Sequence, residues 1–189
     1  MSELHFLIGY RGSGKTTVGR ALAARLGWDF LDADVSIESL AGKSILDIFK
    51  TEGETAFRDR ESAVLADLAR LTKTVVATGG GVVLRDQNRA LLRAGFVTWL
   101  TASPEALAAR IAADPTTATR RPNLTAAGGV QEVRALLAVR EPYYRDAADF
   151  VVDAEQLSPE AAADAILAAW NGGSTCRSSC GPGSPSSSG

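Results

Sequence analysis

From residue 9 to residue 16 the chain reads Gly-Tyr-Arg-Gly-Ser-Gly-Lys-Thr, and this spacing constrains the fold more than any other feature. A stretch so rich in glycine belongs to neither strand nor helix. Before it, residues 4–8 form a short apolar run expected to be a buried strand. After it, Val18, Leu22 and Leu26 recur at helical spacing, and Gly27 ends the run. A strand, a loop of the pattern G-x-x-x-x-G-K-[ST] and a helix together form a cradle for phosphate. Backbone N–H groups turn inward onto phosphate oxygens, and the helix adds its positive end. In such a cradle Lys15 reaches the terminal phosphates and the Thr16 hydroxyl is a ligand for Mg²⁺. The motif points to a nucleotide and leaves the reaction open.

The same alternation continues downstream. Strands are expected at 29–32, 74–77, 96–100 and 150–152. Between them Ser44 caps a short helix running to about Phe49, and Phe57, Val64, Leu65 and Leu68 mark one face of a longer one. Ser103-Pro104-Glu105 and Ser158-Pro159-Glu160 each open a helix with a capping serine and a proline in the first turn. Strands alternating with helices imply a parallel sheet covered on both faces, with ligands at the carboxyl ends of the strands. The residues richest in chemistry all fall there: 9–16, Asp32, Asp34, and Gly79, Gly80 and Gly81. Two stretches lack a core pattern. Residues 114–129 carry Pro115, Arg120, Arg121, Pro122 and Gly128-Gly129, the composition of a lid. Residues 171–189 are mostly Gly, Ser and Pro, with two cysteines, one arginine, Asn171 and Thr175, the composition of a disordered low-complexity tail.

Composition narrows the partners. At 189 residues the chain suits one domain. Its net charge of −2 offers no basic surface for nucleic acid. No apolar run approaches a bilayer span, and the first residues lack the pattern of a signal peptide, so a cytoplasmic protein with no membrane partner is expected. The only histidine is His5, and both cysteines, Cys176 and Cys180, lie in the tail. A zinc site and a thiol or histidine catalyst are therefore not expected, which leaves Asp, Glu, Lys, Arg and backbone groups.

Several residues hold two readings each. Asp32 and Asp34 follow the second strand; an extended backbone would put both carboxylates on one side, one for a metal and one for a substrate, whereas a solvated turn with a helix cap is the plain alternative. Arg58 stands four residues after Glu54 and three before Glu61, as in a surface ion-pair ladder or in a guanidinium fork for a carboxylate. Three glycines at 79–81 imply a ligand against bare backbone. Arg140 continues the apolar stripe of Val130, Val133 and Leu137, and either snorkels or points inward.

Taken together these segments resemble the shikimate kinase family. The matching segments are 9–16, Asp-Ala-Asp at 32–34, Phe-Arg-Asp-Arg-Glu at 57–61, Thr-Gly-Gly-Gly at 78–81, Arg-Arg-Pro at 120–122 and Arg-Glu-Pro-Tyr-Tyr at 140–144. The resemblance covers about residues 4–155, with Asn123 standing where the family usually has leucine. It implies a three-layer α/β fold of the P-loop NTPase type with a five-stranded parallel sheet. A kinase domain would span 1–170, with a helical substrate-binding segment at about 33–61 and a mobile lid at about 112–129. It further implies ATP-dependent phosphorylation of the 3-hydroxyl of shikimate, on the route to chorismate and the aromatic amino acids, by a monomer. Carried over, Gly12, Ser13, Gly14, Lys15, Thr16 and Thr17 hold the ATP phosphates, and Thr16 and Asp32 hold Mg²⁺. Asp34 orients or deprotonates the attacking hydroxyl. Arg58 and Arg140 bind the carboxylate, Gly79, Gly80 and Gly81 face the ring, and Arg121 comes from the lid onto ATP. A kinase of another small hydroxy acid such as gluconate, a nucleoside monophosphate kinase, and an inert nucleotide-dependent binding module are the rival readings.

Overall fold

The computed structural model describes residues 2–114 and 129–172. Along the chain run β1 (Leu4–Ile8), α1 (Lys15–Leu26), β2 (Asp29–Asp32), α2 (Ala33–Ala41), α3 (Ile45–Leu68), β3 (Thr74–Ala77), a 3-10 turn (Val82–Leu84), α4 (Asp86–Leu92), β4 (Phe96–Thr101), α5 (Pro104–Ala113), α6 (Gly129–Ala147), β5 (Phe150–Asp153) and α7 (Pro159–Asn171). The five strands form one sheet in the order β2-β3-β1-β4-β5, and every pairing is parallel. With both faces covered by helices this is the expected three-layer α/β fold.

Alternation along the strands splits the core in two. Phe6 and Ile8 of β1, Val76 of β3 and Val97 and Trp99 of β4 face Ile37, Ile45, Ile48, Phe57, Leu65 and Tyr144 from α2, α3 and α6. Leu7, Val75 and Leu100 face the other way, onto Val18, Leu22, Ala163 and Ile166 from α1 and α7. Leu22 and Ile166 are fully buried, which stabilises by about 1.5–3 kcal/mol for each side chain. Both serine-proline openings behave as read: Ser103 Oγ accepts from Ala106 N and Ser158 Oγ from Ala161 N, each at 3.2 Å.

Two elements differ from the expectation. Helix α3 holds the expected short and longer helices in succession, but the first runs past Phe49 to a break at Gly53, whose φ of 83° and ψ of 176° leave helical geometry. The carboxylate of Glu52 beside that break holds Lys43 and Arg60, which draw its pKa down. Helix α2 begins directly at the end of β2, so Asp32 is its N-cap rather than the start of an extended run. Residues 115–128, which include Arg120, Arg121 and Asn123, and most of the tail, 173–189, lie outside the described residues.

His5 explains how α7 is fastened. Its ring is fully buried, 5.5 Å from Trp28, 5.4 Å from Phe96 and 4.9 Å from Trp170, measured between centroids. Neither ring nitrogen has a hydrogen-bond partner among the described residues. Burial lowers its pKa from 6.5 to about 4. A base depressed in the folded state contributes stability that is complete above the unfolded value and is lost as pH falls from about 6.5 to about 4, a difference of about 3 kcal/mol. Urea midpoints of wild type should therefore fall more steeply over that window than those of His5→Phe. Equal slopes in the two proteins would show that His5 does not titrate with unfolding.

Candidate active site

The site grows from the carboxyl ends of β1, β2 and β3: Gly9 and Thr78 follow the last paired residues of β1 and β3, and Asp32 is the last paired residue of β2. The glycine loop turns where only glycine is comfortable: Gly12 has φ of 79°, and Gly14, the N-cap of α1, has φ of 89°. Lys15 opens α1, and its ammonium donates to the carbonyls of Gly9 at 2.9 Å and Tyr10 at 2.8 Å, across the loop. The Thr16 hydroxyl donates to Asp32 Oδ2 at 3.0 Å, while Asp32 Oδ1 accepts from the backbone N–H of Asp34 at the same distance. One carboxylate thus joins the phosphate loop to the first turn of α2. The cap reading is correct for Asp32, and Asp34 is aimed by a helix, not by strand alternation.

A cleft of about 770 Å³ follows from these elements. Its walls include the loop from Arg11 to Thr17, Asp32 and Asp34, Thr78 and Gly80, together with Arg110, Ala154 and Pro159. Helix-end dipole, loop amides and cations make it a place for a polyphosphate. Thr16 and Asp32 fit Mg²⁺, which takes one or two protein oxygens and fills its remaining positions with phosphates and water. Among the described residues no group of three or more His, Cys, Asp or Glu is placed to hold a metal by itself.

Beyond Gly80 lie two buried guanidinium groups. Arg58 is 9% exposed and Arg140 8%. The surface ladder is therefore not what Arg58 makes: Nη1 donates to buried Glu61 at 2.7 Å, and only Glu54, at 3.2 Å, is exposed. Burial works against its charge, but the two carboxylates more than offset this and raise its pKa. The snorkelling reading of Arg140 fails likewise, since Nη1 donates to the Gly80 carbonyl at 3.3 Å inside the fold. Tyr144, one helical turn on, donates its hydroxyl to the same carbonyl. Burial raises the Tyr144 pKa, which keeps that proton in place. A Cβ at Gly81 would collide with the Arg58 guanidinium. The bare backbone expected to meet a ligand thus first admits the protein's own arginine. Arg58 and Arg140 consequently flank consecutive residues of one glycine run.

Three residues escaped the sequence reading. Tyr10 and Arg11 occupy free positions of the loop pattern, yet Tyr10 is buried and Arg11 pairs with buried Glu132 at 3.0 Å. Arg110 donates to the carbonyls of Gly12 at 3.5 Å and Ala154 at 2.9 Å. Its position in the last turn of α5 carries no sequence signal for this. Arg121 lies outside the described residues.

A phosphate loop at the carboxyl edge of this sheet, with a capped Asp-Ala-Asp beside it, defines a nucleotide-binding protein of the P-loop kinase class. A family model described as shikimate kinase matches residues 11–171. A shikimate kinase of Rhodopirellula baltica is 46% identical over 149 residues, covering 78% of this chain and 80% of the relative. One of Nitratidesulfovibrio vulgaris is 51% identical over 148 residues, covering 78% and 84%. Among solved structures, a shikimate kinase from Acinetobacter baumannii in complex with shikimate superposes with a TM-score of 0.85 and 37% identity, covering 92% of this chain and 95% of the other. A gluconokinase from Sinorhizobium meliloti, with a TM-score of 0.55 and 16% identity, shares the fold alone. The chain belongs to the shikimate kinase family.

Proposed function

We propose that the chain transfers the γ-phosphoryl group of ATP to the 3-hydroxyl of shikimate, giving shikimate 3-phosphate and ADP. The observation that carries this reading is the pair of buried guanidinium groups, Arg58 and Arg140, on consecutive glycines beside the phosphate-loop cleft. That arrangement suits a small carboxylate held a fixed distance from a phosphoryl donor. The Acinetobacter baumannii relative is in complex with shikimate, a carboxylic acid of this kind.

The roles are those that the family resemblance implies, and the placement of the residues supports them. Amides of Gly12 to Thr17 and the Lys15 ammonium neutralise the phosphates, and Arg110, which lines the same cleft, offers a planar cation to stack on the base. Thr16 and Asp32 would hold Mg²⁺, which would supply positive charge against the phosphates. Asp34 accepts the proton of the attacking hydroxyl as the new O–P bond forms and the β–γ bridging bond breaks. Arg58 and Arg140 grip the carboxylate, and Gly79, Gly80 and Gly81 let the ring approach the backbone. Segment 33–61 is then the substrate-binding part of a domain spanning 1–170. Arg121 and a lid at 112–129 join this scheme on the family resemblance. We further infer a monomer that works on a small molecule, with no nucleic-acid partner, in the cytoplasm. No described helix is long and apolar enough to cross a membrane.

The deciding experiment is a coupled ADP-release assay with shikimate, quinate, gluconate and nucleoside monophosphates. Shikimate should be turned over fastest, and chelating Mg²⁺ should abolish turnover. Faster turnover of gluconate or a nucleoside monophosphate would overturn the substrate assignment.

A further inference from the structure

The phosphate loop and the carboxylate site are both fastened to one helix. Helix α6 reaches the loop with Glu132, in its first turn, and reaches the glycine run with Arg140 and Tyr144. The Glu132 side chain is 1% exposed and that of Arg11 14%, so water screens their ion pair little. Between the two contacts lies Tyr10. Its ring is covered by the Arg140 guanidinium at 5.4 Å and by that of Arg11 at 6.0 Å, and its carbonyl takes the Lys15 ammonium. The backbones are close as well: a Cβ at Gly80 would stand only 3.3 Å from Arg11 N and 3.4 Å from the Gly9 carbonyl. Nothing in the chemistry assigned above uses Glu132 or Arg11 directly.

We infer that Glu132 is a positioning residue, which through Arg11 sets the phosphate loop against the Gly80–Arg140 contact and so fixes the distance between nucleotide and acid. The argument is geometric. Arg140 stacks on Tyr10, and Tyr10 is next to Arg11. Releasing Arg11 therefore frees the loop segment that supports Arg140 on one side and Lys15 on the other. Both substrate sites should loosen together, although Glu132 touches neither substrate.

This rests on the phosphotransfer reading, and one set of variants separates the two. Glu132→Gln keeps the side-chain length and loses the charge; Arg11→Gln removes the partner, and Arg11→Lys keeps its charge. Both KM values, for ATP and for shikimate, should rise three- to tenfold in Glu132→Gln and in Arg11→Gln. The double variant should be no worse than either single one, and Arg11→Lys should recover more than half of the loss. Hydrogen exchange needs no substrate: peptides covering 9–16 and 78–84 should exchange faster in Glu132→Gln. A merely structural residue lowers the melting temperature and the active fraction, hence the apparent kcat, at unchanged KM values. That result, additive effects in the double variant, or unchanged exchange would overturn the inference. Faster exchange in a protein whose wild type is inert toward shikimate would instead overturn the substrate reading and keep the tie.

Discussion

Asp34→Asn should lower kcat by about 100-fold or more, with a much smaller change in KM for shikimate. The substitution keeps the size and planarity of the side chain. It also keeps the backbone N–H that donates to Asp32 Oδ1, so the capping of α2 and the Thr16–Asp32 contact should survive. What is lost is the negative charge and the proton acceptor facing the cleft. If Asp34 takes the hydroxyl proton, the loss falls on the step in which the O–P bond forms, and hence on kcat. Single-turnover and steady-state kinetics at saturating ATP would read it. A near-wild-type kcat with a raised KM would make Asp34 a binding residue and remove the base from the mechanism.

The second large effect concerns the carboxylate. Removing one charge-assisted contact to a group that does not react should cost on the order of 1.5–3 kcal/mol in kcat/KM, roughly 10- to 150-fold. Most of it should appear as raised KM, although remote binding energy also feeds kcat. Arg140→Ala is the cleaner variant, because its described hydrogen bond is one to the Gly80 carbonyl, which Tyr144 also serves. Arg58→Ala removes the guanidinium from buried Glu61 and should destabilise the fold as well, by an amount in the range of about 3–5 kcal/mol typical of broken buried pairs. The two variants should thus share the kinetic defect and differ in melting temperature. Unchanged kinetic constants in Arg140→Ala together with a lower melting temperature would show that Arg140 serves the fold alone, and the carboxylate would need another partner.

Much of the site was readable because local rules determine it. The loop at 9–16 needs positive φ at Gly12 and Gly14 and a helix beginning at Lys15, and all three are local properties. The strand segments were readable for the same reason, since alternation in Phe6, Leu7 and Ile8 shows which side chains leave each face of the sheet. The relation between Asp32 and Asp34 stayed open between an extended run and a helix cap, because whether a chain continues extended or turns into a helix after a strand is settled by what the new helix packs on. Here Ala33 and Ile37 of α2 are buried in the core.

Spacing placed Arg58 between Glu54 and Glu61 and put Arg140 on the Val133 stripe, and with the glycine loop it determined which residues could do chemistry. Spacing cannot distinguish an ion pair in water from one inside a fold, because both place the side chains three or four residues apart on a helix. Burial made that distinction, and burial is a property of the neighbours: Glu61 is buried, and Arg58 lies against Gly81, a residue that arrives from the loop after β3. The Arg11–Glu132 pair spans 121 residues and Arg110 reaches Ala154 across 44, so no local pattern in the chain encodes either contact. Strand order was likewise beyond local rules, since residues 4–8 pair with 74–77 on one side and 96–99 on the other, partners that lie far away along the chain. The sequence by itself determined the groups available and the loop that cradles phosphate. The tertiary structure decided which charges lose their water and meet, because desolvation depends on surfaces brought together from distant parts of the chain.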